Sequence, residues 1–146
     1  MILLSWNGRR LGNPTVVHDL FQLVKRKKPT FLFLIETKSS SNKMEFLRNK
    51  LGFSGLFVVD SVGRSGGLAL LWHDESGLTI KNFSRRHIHT EIQSRRGSWH
   101  LTGFYGNPEP TKREQGWNLL KYLKELSLGP WLCFGDFNEI TSHFEK

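Results

Sequence analysis

Phe31-Leu32-Phe33-Leu34-Ile35-Glu36-Thr37-Lys38 runs five apolar residues straight into a carboxylate. Such a short, unbroken apolar run reads as a strand covered on both faces, because neither side alternates toward water. The pattern recurs at both ends of the chain. Ile2 to Trp6 leads into Asn7, and Trp131 to Phe134 leads into Gly135-Asp136-Phe137-Asn138. Between the first two strands, Asn13-Pro14 offers an N-cap and a first helical residue. Val17, Leu20, Phe21 and Val24 then follow at helical spacing, and Lys25-Arg26-Lys27-Lys28 closes the helix before Pro29. That basic run reads either as a solvated helix end suited to the dipole or as a phosphate contact.

Outward from this core, Ser41 or Ser40 caps a second helix carrying Met44, Leu47 and Leu51, with Gly52 as its stop. Short strands are expected at Leu56 to Val59, Leu68 to Trp72, Leu78 to Phe83, Ile88 to Ile92 and Trp99 to Tyr105. Turn signals at Gly63-Arg64-Ser65-Gly66-Gly67, Asp74-Glu75-Ser76-Gly77 and Arg95-Arg96-Gly97 separate them. A last helix from about Thr111 to Leu126 should bury Leu119, Leu120, Leu123 and Leu126, ending at Gly129-Pro130. The order β-α-β-α, a meander, α, β predicts an α/β layered sandwich with mixed β-sheets. The polar stretch Ser142-His143-Phe144-Glu145-Lys146 follows the final strand, so the layer covering that sheet's far face is expected to be missing. Exposed apolar strand faces should result.

The 146 residues suit one domain, since domains cluster near ~100–150 residues. Apolar residues at 38%, with 14 Gly besides, exclude a largely disordered chain. No apolar run approaches the ~18 residues of a membrane span. Met1-Ile2-Leu3-Leu4 lacks the basic region and cleavage site of a signal peptide. The single cysteine, Cys133, excludes an internal disulfide and a Cys-rich zinc site, and reads as a small buried apolar residue. No disulfide-linked partner is therefore expected, and nothing points to an oxidising compartment; a monomer is expected, in an intracellular setting that includes the nucleus as an option. With 21 Lys and Arg against 13 Asp and Glu, the net charge of +8 favours a polyanionic partner.

Chemistry is expected where the buried strands end. Strand carboxyl ends of layered α/β folds gather at one rim, and ligands bind there. Asn7, Glu36 and Asp136 each sit at such an end. A carboxylate directly after apolar residues is half-buried and needs a compensating cation or donor. Glu36 and Asp136 together suit a hard cation such as Mg²⁺; the competing reading is that each merely caps its loop. In Gly135-Asp136-Phe137-Asn138, the glycine permits a tight turn. Asp136 and Asn138, two apart, point to one side in extended geometry, bringing a charge and an amide donor together.

Read together, these segments resemble the endonuclease/exonuclease/phosphatase superfamily, with the nearest likeness in the apurinic-type endonuclease domain of plant LINE (non-LTR) retrotransposon polyproteins. The likeness lies in five ordered blocks spanning nearly the whole chain. They are Ser5-Trp6-Asn7 with Leu11-Gly12, Phe33 to Lys38, Val58 to Ser61 running into Gly66 to Trp72, Leu101 to Gly106 with Pro108, and Trp131 to Glu139. The resemblance implies a DNase I-like fold and a phosphodiesterase that nicks DNA with Mg²⁺ or Mn²⁺. It implies that Glu36 holds the metal with Asn7 beside it. Asp136 then orients or activates water or handles the leaving group, and Asn138 and Tyr105 contact the scissile phosphate.

Two departures stand out. The first block reads Asn7-Gly8-Arg9-Arg10 where the plant elements read Asn-Cys-Arg-Gly, which puts the shape of that loop in question at Arg10. The family's later Ser-Asp-His has no counterpart. None of His18, His73, His87, His89, His100 or His143 directly follows an Asp. They read as surface or hydrogen-bonded strand histidines, and His143 comes too soon after Asp136 to be that base. Residues 1–146 are thus expected to be the N-terminal portion of such a domain, truncated at the C-terminus and inactive. The alternatives are a non-catalytic nucleic-acid-binding remnant and a phosphoesterase of the same fold acting on another ester. Trp6, Trp72, Trp99 and Trp131 read as packing residues ahead of base-stacking ones, and Arg85-Arg86 and Arg95-Arg96 as phosphate contacts or solvated pairs.

Overall fold

The computed structural model describes residues 1–39, 41–62 and 66–138. The chain folds as the expected layered α/β sandwich. One sheet holds β1 (Leu3–Asn7), β2 (Phe31–Ile35), β3 (Gly55–Val59) and β4 (Leu68–Trp72), in the order β1-β2-β4-β3. The other holds β5 (Leu78–Ser84), β6 (His87–Ser94), β7 (Gly97–Tyr105) and β8 (Trp131–Asp136), in chain order. Each sheet is mixed. β1 runs parallel to β2 and β7 parallel to β8, the remaining pairings being antiparallel.

The two sheets pack face to face. Phe33 meets Phe134 with ring centres 5.6 Å apart, and Phe31 meets Trp99 edge-on at 6.3 Å. Gly103 lies directly under the Phe33 ring, where a Cβ would be only 2.6 Å from Cδ1, so its lack of a side chain lets the sheets approach. All five residues of β2 are buried, as a strand with both faces covered requires.

The outer face of the first sheet is covered by α1 (Pro14–Lys27) and α2 (Ser41–Leu51), through Leu20, Val24, Met44, Leu47 and Leu51 packed on Leu32, Leu34, Ala69 and Leu71. Asn13 caps α1 by accepting from Thr15 N–H at 2.8 Å, as its sequence promises. The helix ends on Lys28 in a left-handed turn (φ 48°), immediately before Pro29. Ser40, the turn residues 63–65 and residues 139–146 fall outside the described residues. The alternative cap at Ser40, part of the first turn signal, Glu139 and His143 go with them.

The third helix ends at Leu126 as expected but differs at its start and in what its last turn buries. It begins with a tighter turn at Pro110–Lys112, and α3 proper spans Arg113–Leu126. Leu120 and Leu123 are buried and Leu119 is half-buried, but Leu126 is exposed. The helical period extends one turn further than the surface that receives it. α3 also corrects the picture of a bare sheet, because Gly116 brings it against Phe104 on the far face of β7. Exposed apolar side chains instead follow one another along α3, its trailing loop and β8, at Trp117, Tyr122, Leu126, Leu128 and Leu132. Cys133 is half-buried rather than buried, and burial pushes its thiol up to about 12. Among the described residues no helix is long and apolar enough to cross a membrane.

Candidate active site

Parallel pairing brings the strand ends together. Asn7, the last residue of β1 rather than the first beyond it, stands opposite Ile35, so Glu36 leaves β2 beside it. In the other sheet Tyr105 stands opposite Asp136. Because β8 lies against β1 and β2, the two pairs meet at one rim.

Glu36 is the centre of the cluster. Asn7 Nδ2 donates to its Oε2 at 2.9 Å and Arg9 Nη2 donates to the same oxygen at 2.7 Å, while the Tyr105 hydroxyl stands near enough to the carboxylate for each to shift the other's pKa. Burial works to raise the Glu36 pKa. The bonds from Asn7 and Arg9, with the nearby Tyr105 hydroxyl and the charge of Arg9, outweigh burial and hold it below the usual carboxylate range. The Tyr105 hydroxyl is pushed up, first by burial and then by its closeness to Glu36, so it stays protonated and able to donate at neutral pH. Arg86 stacks over the Tyr105 ring, its guanidinium carbon 4.9 Å from the centre. The Arg85-Arg86 turn therefore belongs to this rim. Arg95-Arg96 lies at the other end of β6, which separates two pairs that look alike in sequence.

Asp136 and Asn138 come together by a different route from strand alternation. Asp136 Oδ1 accepts from the Asn138 backbone N–H at 2.9 Å, closing a turn in which Asn138 adopts a left-handed backbone (φ 51°). Asn138 Nδ2 donates to Gly106 carbonyl at 2.7 Å. Gly135 (φ 134°) packs onto the Phe104 carbonyl, where a Cβ would collide. Glu36 shares the unusual backbone, at φ 52°. For a residue with a side chain such a conformation costs roughly 1 kcal/mol and persists only when the surroundings impose it.

Asn7, Asp136 and Asn138 line one open cavity of about 550 Å³, with Ser5, Ile35, Pro108, Arg113, Gly135 and Phe137. Sequence reasoning overlooked Arg113, which reaches the cavity from the first turn of α3 with its Nε buried and without a partner. It also overlooked the ion pair of Arg9. Arg10, the residue that breaks the family's first block, takes an ordinary backbone and lies exposed, so the loop accommodates it.

The donor set suits a hard cation. Among the described residues no group of three or more His, Cys, Asp or Glu side chains could hold a metal. A metal at this rim would rest on one carboxylate, with amide and water oxygens completing its shell, as Mg²⁺ accepts. The Arg9 guanidinium already pairs with Glu36 Oε2 at 2.7 Å. As placed, Asn7 turns its nitrogen to Glu36 and its oxygen to Arg9 N–H at 2.8 Å, so it orients the carboxylate.

A family model described as Endonuclease/Exonuclease/phosphatase family matches residues 4–145. No curated protein matches the chain. Among solved structures, the chain resembles the endonuclease domain of TRAS1, a telomere-specific non-LTR retrotransposon, at 14% identity and a TM-score of 0.64, covering 96% of this chain and 61% of that one. It resembles an AP endonuclease from Archaeoglobus fulgidus at 18% identity and 0.68, covering 94% and 58%. It also resembles a 3′ phosphatase from Neisseria bound to product DNA hairpin, at 17% identity and 0.60, covering 92% and 57%. At these identities the likeness shows the fold alone. The chain spans about three-fifths of the length of these neighbours.

Proposed function

The chain belongs to the endonuclease/exonuclease/phosphatase family, and we propose on that footing that its rim site serves Mg²⁺-dependent hydrolysis of phosphodiesters in DNA. The observation that carries this reading is the charged, half-buried Glu36 carboxylate beside Asn7 and Tyr105, with Asp136 and Asn138 lining the cavity that Asn7 shares with them. The five sequence blocks and the likeness to the TRAS1 endonuclease domain support a LINE-type, retrotransposon-derived origin.

In this reading Glu36, oriented by Asn7, holds Mg²⁺ or Mn²⁺, which when bound offsets the charge that builds on the phosphoryl oxygens. Tyr105, kept protonated, offers its hydroxyl to a phosphate oxygen, and Asn138 offers its second amide hydrogen. Asp136, fixed by the Asn138 N–H, orients the attacking water and takes up its proton, or handles the leaving group by passing a proton to the departing oxygen. Arg86, Arg113 and the net charge of +8 draw the DNA backbone toward the rim. Among the described residues no histidine lines either cavity at the rim. The proton-handling group that the resemblance assigns to an Asp-paired histidine is therefore not in this set, and DNA binding is expected to be strong relative to nicking.

Nicking of supercoiled plasmid tests the reading. Slow nicking that needs Mg²⁺ and is lost with EDTA and in Glu36→Gln is the expected result. Nicking that survives both, or a chain that binds neither DNA nor Mg²⁺, would overturn it.

A further inference from the structure

The Glu36 carboxylate already carries a positive group. Arg9 reaches it from the loop just past β1, and its Nη2 shares Oε2 with Asn7 Nδ2. The Arg9 side chain is 59% exposed and that of Glu36 15%, so the guanidinium covers the carboxylate from the solvent side. That is the side from which an ion arrives. Beside it lies an open groove lined by Trp6, Asn7, Arg9, Arg10 and Val16. The side chain can swing into this groove while its backbone N–H stays tied to Asn7 Oδ1 at 2.8 Å. A guanidinium and a divalent ion cannot occupy the same side of one carboxylate oxygen, because each repels the other and Oε2 has few lone-pair directions left.

Resting on the reading that Glu36 holds the metal, we propose that Arg9 is a tethered competitor for it. Arg9 neutralises Glu36 while no metal is bound, must leave Oε2 for Mg²⁺ to enter, and is then free to pair with a DNA phosphate. Metal and DNA binding become mutually favourable through this one side chain, since each removes what hinders the other. Arg10 supplies an internal control. It brings the same charge to the same groove, yet the donors on Glu36 are Asn7 and Arg9.

Calorimetric titration with Mg²⁺ alone, on the wild-type chain and on Arg9→Ala and Arg10→Ala, reads the competition without any turnover. Arg9→Ala should bind Mg²⁺ about fivefold more tightly than wild type, the scale set by releasing an exposed ion pair. Arg10→Ala should change affinity less than about twofold, as a screened neighbouring charge does. Saturating duplex DNA should narrow the gap between wild type and Arg9→Ala. Equal tightening in both variants, weaker binding in Arg9→Ala, or a gap unchanged by DNA would overturn the role of Arg9 while leaving Glu36 as the metal carboxylate. Absence of Mg²⁺ binding in all three proteins would overturn both readings.

Discussion

The rim and the outer face of the β5–β8 sheet both remove polar side chains from bulk water, and they settle them in opposite ways. At the rim Glu36 stays charged, matched by Arg9, Asn7 and Tyr105, with Glu36 and Asn138 held in left-handed backbone. On the sheet face, His87 and His89 are held neutral. His87 donates from Nε2 to Asn82 Oδ1 and accepts from the Ser84 hydroxyl, both at 2.6 Å, and His89 Nδ1 pairs with Thr102 Oγ1 at 2.7 Å. Burial lowers each to about 4, with the neighbouring histidine adding to the effect. The Thr102 hydroxyl is itself fixed by Trp131 Nε1 at 2.9 Å. One region keeps a charge, an open side and backbone strain. In the other, His87 and His89 are buried and hydrogen-bonded, with His100 stacked on His89 and its buried Nδ1 unpartnered. The proposed charged ligand is therefore placed at the first.

Four substitutions or conditions sharpen this contrast. Glu36→Gln keeps the shape of the rim and removes its charge, so Mg²⁺-dependent nicking should fall about 100-fold or more. The thermal midpoint at pH 7 should move little, and a large drop would make Glu36 a structural residue. Asp136→Asn preserves the turn with Asn138 and should cost nicking about tenfold to 100-fold while leaving DNA binding intact, as gel-shift titration would show.

The third break concerns the sheet face. Because the folded pKa values of His87 and His89 lie below the usual 6.5, the unfolded chain binds more protons between pH 6.5 and about 4. Their contribution is complete above pH 6.5 and is lost as the pH falls through this window, by about 2 kcal/mol per histidine at pH 5. Urea melts from pH 7 to 4.5 should show the decline in wild type and a shallower one in His89→Gln. The smallest effect is expected of Tyr105→Phe, which removes a hydroxyl that stands beside Glu36 in the free rim and turns to the phosphate in the proposed complex. Nicking should fall about threefold to tenfold with stability nearly unchanged.

Much of this contrast is visible in the sequence, and the limits have physical causes. β2 and β4 have the bounds their apolar runs announce, since burial on both faces leaves no ambiguity of period. The convergence of Asn7, Glu36 and Asp136 follows from the rule that parallel strands end at one edge. Leu126 fails because periodicity shows which side of a helix is apolar and not where the neighbouring layer ends. Asp136 and Asn138 fail in detail because an asparagine can leave the strand for a left-handed turn, which no alternation predicts. Arg9 stayed hidden because a loop has no period. Its partner lies 27 residues away, brought close only by the β1–β2 pairing. The two arginine pairs became distinguishable once strand register put one beside Tyr105.

Mn²⁺ titration followed by paramagnetic broadening of backbone amide resonances tests most directly whether the rim is a cation site. Broadening should begin together at Asn7, Glu36, Tyr105 and Asp136, spare the strands around His89 and His100, and vanish in Glu36→Gln. Broadening centred on the histidine face, or unchanged in Glu36→Gln, would contradict the account.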